Sequence, residues 1–220
     1  MERDENLTKK VNKFCKKIGV DIIGFADPKE FYRFQKYNRP ESYLKESKTV
    51  IILGIHLFDI NLDAWTLNPK TGKNHHFADS ILEKLCFKIK NYILERGFES
   101  KIITYSPGLF LKDSAALAGI GPIGKNNLLI AEGFGSQARL RALVTKAPLV
   151  CGIPILKSEY CKGCDICINA CPANAFPQGK YNKDICLPYN LSNMRKLSEN
   201  TSIWCNICIE SCPIGKKSLK

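Results

Sequence analysis

Cysteine is the residue that most limits what this chain can become. Eleven of its 220 residues are cysteine, unevenly spread. Cys15, Cys86 and Cys151 are scattered through the first 160 positions. Cys161, Cys164, Cys167, Cys171, Cys186, Cys205, Cys208 and Cys212 crowd the last 60. The opening residues Met1-Glu2-Arg3-Asp4-Glu5-Asn6 are charged and lead into no apolar stretch, so the sequence predicts no secretory signal and a cytoplasmic protein. In that reducing compartment, cysteines at this density point to metal rather than disulfides. The longest strongly apolar run, Val50 to Phe58, is broken by Gly54 and His56 and is too short to span a bilayer, so no membrane partner is expected.

The spacing names the metal. Cys161-Lys-Gly-Cys164-Asp-Ile-Cys167-Ile-Asn-Ala-Cys171-Pro172 is a C-x2-C-x2-C-x3-C-P run, the pattern of bacterial ferredoxins. Three thiolates on one tight loop reach three corners of a [4Fe–4S] cube. The fourth, expected on the helix that follows, turns toward a second cube. A zinc ribbon would instead use two C-x2-C pairs. The second run, Cys205-Asn-Ile-Cys208-Ile-Glu-Ser-Cys212-Pro213, supplies only positions two to four. Position one falls on Ser202, and a hydroxyl is a poor substitute for a soft thiolate. Cys186 is the expected replacement, with Cys151 the alternative. The crossing rule then assigns Cys161, Cys164, Cys167 and Cys212 to one cluster, and Cys171, Cys186, Cys205 and Cys208 to the other. Cys15 and Cys86 fall within helix patterns and read as buried hydrophobes.

Ahead of this tail lies a cysteine-poor body. The boundary falls near Pro154 to Ser158 and divides the chain into residues 1–156 and 157–220. Leu7, Val11, Phe14 and Ile18 mark one helical face stopped by Gly19. Phe77, Ile81, Leu85, Ile89 and Ile93 mark a long helix ended by Gly97, and Leu111 to Ala118 a shorter one. Val20 to Ala26, Thr49 to Phe58, Lys101 to Tyr105, Leu128 to Ala131 and Leu140 to Thr145 read as strands. Interleaved helices and strands predict an α+β sheet domain followed by a small iron–sulfur domain.

Gly119-Ile-Gly121-Pro-Ile-Gly124-Lys125 fits two nucleotide motifs, but both lack their context. The stretch before it is helix-like rather than a strand, and Asn126 replaces the magnesium-holding Ser or Thr after the lysine. The glycines read either as a structural turn or as backbone that approaches a large flat ligand. The chain carries 33 basic and 21 acidic residues, a formal charge of +12. Two all-cysteine clusters, at roughly −2 each, would leave about +8. That charge fits a solvated lysine-rich surface or a polyanion such as tRNA.

Ala118-Gly-Ile-Gly-Pro-Ile-Gly-Lys125-Asn-Asn-Leu-Leu-Ile130, the isolated Cys186 between two cysteine runs, and Gly72-Lys-Asn-His75-His76 before a long helix resemble the epoxyqueuosine reductase family. The resemblance covers most of residues 45–215. It implies a nitroreductase-like α/β domain, residues 1–156, that holds cobalamin and substrate, and a two-[4Fe–4S] ferredoxin-like domain, 157–220. Gly119, Gly121, Gly124, Lys125, Asn126, His75 and His76 would then lie at the corrinoid. Electrons would pass from an external low-potential donor through the clusters to cobalt and on to a substrate, while a side chain gives a proton. The family's acidic proton donor falls on Tyr105, and a nearby glutamate position on Asp113. Tyrosine in this role resembles the reductive dehalogenases. It favours a small organic substrate over a tRNA epoxide, whereas the charge favours tRNA. A phenol needs a neighbouring cation to give its proton readily, and Lys112 and Lys125 are the expected ones. The alternative is a non-catalytic electron carrier serving a corrinoid or another redox partner. A flavin-binding reading finds no Arg/Ser-rich phosphate site near the N-terminus.

Overall fold

A computed structural model of the chain describes residues 2–105 and 107–215. In chain order its main elements are α1 (Glu5–Lys17), β1 (Ile22–Ala26), β2 (Thr49–His56), β3 (Trp65–Leu67), β4 (Asn74–His76), α2 (Phe77–Leu94), β5 (Ser100–Ile103), α3 (Leu111–Leu117), β6 (Ala138–Thr145), α4 (Ile166–Asn169), α5 (Lys183–Ser192), β7 (Arg195–Lys196), β8 (Thr201–Ile203) and α6 (Ile207–Glu210). They form two compact units. The first takes Met1–Ile55, Leu82–Pro122 and Leu140–Leu156, and the second His56–Ile81, Ile123–Arg139 and Lys157–Lys220.

The first unit is built on a four-stranded sheet ordered β1-β2-β6-β5. β1 lies antiparallel to β2, with Ile22 opposite Gly54 and Ala26 opposite Val50. β5 lies antiparallel to β6, with Ser100 opposite Thr145. Every residue of β2 from Thr49 to Ile55 is buried. The strand is covered on both faces, which is why its sequence reads as an unbroken apolar run instead of an alternating one. Burying each large side chain there stabilises the fold by roughly 1.5–3 kcal/mol relative to exposure. α1 begins where the Asp4 carboxylate accepts the Leu7 N–H at 2.8 Å. It buries Leu7, Val11 and Cys15, stacks Phe14 on Tyr92 with ring centroids 4.0 Å apart, and gives way to Gly19 at φ 90°. Cys15 and Cys86 are buried in α1 and α2, and burial pushes both thiols up to about 12. They are protonated packing groups, as the helix patterns imply.

The expected strand Leu128 to Ala131 does not form. Its backbone groups are taken up locally. Gly124 N–H donates to Leu128 O at 2.8 Å, and Ala131 N–H to Gly135 O at 2.9 Å. Only isolated bridges, Ile123 with Leu129 and Ala131 with Gly135, result.

The second unit contains a sheet that periodicity does not reveal, ordered β4-β3-β8-β7. Trp65 on β3 faces His76 on one side and Ser202 on the other. Strands of two or three residues are too short to show a period of two. The cysteine loop also differs from expectation. The third cysteine, Cys167, sits in α4, and the fourth, Cys171, lies just beyond the helix rather than on it.

Gly119 shows how tightly the first unit is packed. It adopts φ +73°, and a Cβ there would lie 2.8 Å from the Ile153 carbonyl oxygen. Both features penalise a side chain. Gly119→Ala is expected to destabilise the protein by about 1–3 kcal/mol, read as a lowered thermal midpoint with iron content unchanged. An unchanged midpoint would show that the loop can relax away from Ile153.

Candidate functional site

The cysteine motif folds as a series of tight turns. A 3-10 turn, Glu159–Cys161, leads into Gly163 at φ 68°, and Cys164 N–H donates to Cys161 O at 3.3 Å. These turns set Cys161, Cys164 and Cys167 around a void whose remaining wall includes Cys212, Ile130 and Tyr160. The first predicted ligand set thus meets at one place, with Cys212 arriving from the far end of the tail. The thiols ring the void rather than converge on a point. Among the described residues no three metal-binding side chains come close enough for a single ion, a geometry that suits a cube.

The second predicted set also gathers. Burial, and then the neighbouring thiols of Cys205, Cys167, Cys186 and Cys171, push Cys208 up to about 12. Burial, and then Cys212, Cys161 and Cys164, push Cys167 upward. Four thiolates this close repel one another, and only a bound cationic group makes the full set tolerable. The Asn206 side-chain nitrogen and the Ser211 hydroxyl, each next to a cysteine of the second run, are buried with no partner among the described residues. Such donors need acceptors, and the inorganic sulfides of a cluster are acceptors. On these observations the residues fit two [4Fe–4S] groups. Cys151 belongs to the first unit, where its thiol donates to Leu149 O at 3.6 Å and burial pushes it up to about 11.

The thiols have their own donors. Lys125 N–H donates to Cys161 Sγ at 3.4 Å, and Ala175 N–H to Cys171 Sγ at 3.4 Å. Asn190, one helical turn after Cys186 on α5, donates to Cys186 Sγ at 3.2 Å and accepts the Cys205 N–H at 2.6 Å. Burial, and then the neighbouring Cys186, push the Tyr181 phenol up to about 12. The cysteine spacing gives no hint of Tyr181. Asn190 was findable, because a residue four positions on in a helix shares a face.

Of the glycine-loop residues, Gly121 is buried and belongs to the first unit, whereas Gly124, Lys125 and Asn126 belong to the second. A Cβ on Gly124 would meet Ile130 at 2.7 Å and the Asn126 side chain at 2.9 Å, so the chain's own packing demands that glycine. Buried Asn126 donates to Ser136 Oγ at 2.9 Å and accepts from Leu128 N–H at 3.2 Å. The Lys125 ammonium pairs with Asp165 at 2.6 Å, and that hydrogen bond holds its pKa above the usual lysine value. Beside this loop an open cavity of about 500 Å³ is lined by Gly124, Lys125, Lys157, Ser158, Cys161 and Lys162. The Ser158 hydroxyl is buried without a partner among the described residues. His75 is exposed, with Nε2 2.8 Å from Ser80 Oγ. His76 is partly buried, which lowers its pKa; the Arg139 guanidinium lowers it further. Its Nδ1 has no partner among the described residues.

In the first unit, Tyr105 is partly exposed and its hydroxyl donates to Leu140 O at 3.1 Å. The Arg141 guanidinium carbon stands 4.0 Å from its ring centroid. Asp113, in the first turn of α3, pairs with Arg33 at 3.5 Å. Burial lowers the Lys112 pKa.

Residues 154–176 match the family model for a 4Fe-4S binding domain. The chain is 25% identical over 242 residues to the epoxyqueuosine reductase of Listeria monocytogenes, covering 92% of this chain and 63% of that protein. It is 31% identical over 216 residues to that of Synechocystis, covering 90% and 71%. The chain therefore spans somewhat under two thirds of the Listeria relative's length. An epoxyqueuosine reductase crystallised with an epoxyqueuosine-modified tRNA-Tyr stem loop superposes with TM-score 0.72 at 19% identity, over 96% of this chain and 66% of that one. A reductive dehalogenase whose structure suggests a mechanism for B12-dependent dehalogenation superposes with TM-score 0.69 at 13% identity, over 97% and 32%. The fold is thus the α+β arrangement with a ferredoxin-like module. Among the described residues, no helix is long and apolar enough to cross a membrane.

Anaerobically prepared protein is expected to hold about eight iron atoms per chain, four for each cube. Cys186→Ser should lower the count toward about four, and Cys151→Ser should leave it unchanged. The reverse result would move the fourth ligand of the second cluster to Cys151.

Proposed function

The chain belongs to the epoxyqueuosine reductase family, and from that membership we propose that it is a cytoplasmic iron–sulfur reductase. Electrons from an external low-potential donor pass through two [4Fe–4S] clusters to a corrinoid and on to a substrate. The observation that carries this reading is the void ringed by Cys161, Cys164, Cys167 and Cys212, because the crossed ligand set is that of a two-cluster electron relay.

We place the corrinoid beside the glycine loop. There Ser158 would offer a buried hydroxyl without a partner among the described residues, Gly124 would present backbone, and Lys125, Lys157 and Lys162 would oppose anionic groups. When bound, the corrinoid supplies a centre that delivers an electron pair, which one-electron carriers cannot do in a single step. The chain's own residues hold that group, shield it and provide the proton.

Tyr105 is the proposed proton donor, with Asp113 the alternative. Arg141 over the Tyr105 ring stabilises the phenolate left after proton transfer. The Leu140 carbonyl holds the hydroxyl in place until then. A phenol suits a substrate that becomes strongly basic as it is reduced, and so a small organic electrophile. A second reading, with modified tRNA as substrate, is favoured by the formal charge of +12 and by the relative crystallised with a tRNA stem loop.

The test is anaerobic purification, with iron and cobalt counted separately, followed by assay of the reduced protein on epoxyqueuosine-containing tRNA and on small organic electrophiles. Tyr105→Phe is expected to lower turnover by about 10²–10⁴-fold, the usual weight of a positioned acid. Full activity of that variant, with loss in Asp113→Asn, transfers the role to Asp113. Turnover of the tRNA establishes the second reading. Protein that loads both clusters but never retains cobalamin is an electron carrier instead.

A further inference from the structure

Hydrogen bonding divides the two ligand sets unequally. In the set Cys161, Cys164, Cys167 and Cys212, Cys161 receives one backbone N–H, from Lys125 at 3.4 Å. The Lys125 ammonium near these thiols is offset by Asp165 at 2.6 Å. In the set Cys171, Cys186, Cys205 and Cys208, Cys171 receives the Ala175 N–H at 3.4 Å. Among the described residues, Cys186 receives a side-chain donor, the Asn190 amide at 3.2 Å. Asn190 is itself fixed. Its amide also donates to Cys186 O at 3.1 Å, and its oxygen accepts the Cys205 N–H at 2.6 Å. One side chain therefore spans two ligands of the same cluster, and it is 92% buried, with 8% of its surface exposed.

We propose that Asn190 is a positioning residue that raises the reduction potential of the cluster held by Cys186, making it the resting place of the electron within the pair. A cluster gains one negative charge when it accepts an electron. Donors aimed at a ligand sulfur stabilise the more negative state more than the less negative one, and so favour reduction. Burial strengthens the effect because little water competes for the sulfur. With both clusters bound, an electron shared by the pair would rest on the cluster of Cys186 rather than on that of Cys161, Cys164, Cys167 and Cys212. This inference rests on the two-cluster reading above.

The test is a redox titration of anaerobic holoprotein, followed by electron paramagnetic resonance of the reduced clusters, for the wild type, Asn190→Leu and Asn190→Asp. The signal that is lost in Cys186→Ser identifies the cluster concerned. Each variant should shift that cluster toward harder reduction. The expected change is about tenfold in its reduced-to-oxidised ratio at fixed applied potential, equivalent to about 59 mV for a one-electron couple. The other midpoint should not move. Asn190→Leu also removes the bond to Cys205, so loss of cluster there leaves Asn190→Asp, whose carboxylate keeps that acceptor, as the deciding variant. Two loaded clusters with unmoved midpoints overturn this inference and spare the two-cluster reading. A wild-type protein that loads only one cluster overturns both.

Discussion

Eight thiols within 52 residues of chain pose an electrostatic problem that the second unit is arranged to meet. As thiolates they repel one another, and as thiols they bind no iron. Burial and then the neighbouring thiols push Cys208 and Cys167 upward, which opposes gathering the thiolates without a bound cationic group. The parts that build the ligand geometry are short-range and polar. Gly163 turns the loop at φ 68°, and Asn190 ties α5 to Cys205. Asn126 reaches from the glycine loop to Ser136 and, at 3.4 Å, to the Cys208 carbonyl. None of these contacts buries much apolar area. Buried donors such as Asn206 and Ser211 have no partner among the described residues, so in the proposed holoprotein the unit would rely on metal–sulfur bonding and on the acceptors a cluster brings.

The body of the chain was legible for the opposite reason. Its helices and its main sheet are long enough for hydrophobic periodicity to mark them. Leu7, Val11 and Cys15 do lie on the buried face of α1, and Val50 to Leu53 do form the covered centre of β2. The apolar run Leu128 to Ala131 misled because apolar content was mistaken for ladder pairing. Its amides and carbonyls close local turns instead. The sheet of β3, β4, β7 and β8 stayed hidden because its longest strand has three residues. The first cysteine run was legible from its spacing, and Cys161, Cys164, Cys167 and Cys212 do line one void. The Asn190 contact with Cys186 was within reach of the same reading, four positions on in one helix.

The glycine loop carries a separate lesson about motifs. Its pattern imitates nucleotide-binding signatures, yet two of its glycines are required by the chain itself. Gly119 makes room for the Ile153 carbonyl, and Gly124 for Ile130 and Asn126. A glycine-rich loop thus need not present its glycines to a ligand. What it offers the adjoining cavity is a backbone held rigid by those internal contacts, together with Lys125.

The surroundings of Tyr105 bear on which substrates a reductase of this kind could serve. Two neighbours act on the phenol in opposite senses. Leu140 O accepts its hydrogen bond and favours the protonated form. Arg141, 4.0 Å from the ring centroid, favours the phenolate. The Arg141 Nε is itself buried without a partner among the described residues, so its charge is poorly screened on that side and acts more strongly on the ring. A carboxylic acid at the same place would have lost its proton at neutral pH unless burial raised its pKa, whereas a phenol keeps it. As the proposed donor, Tyr105 would give its proton only to a reduced substrate basic enough to take it from a phenol.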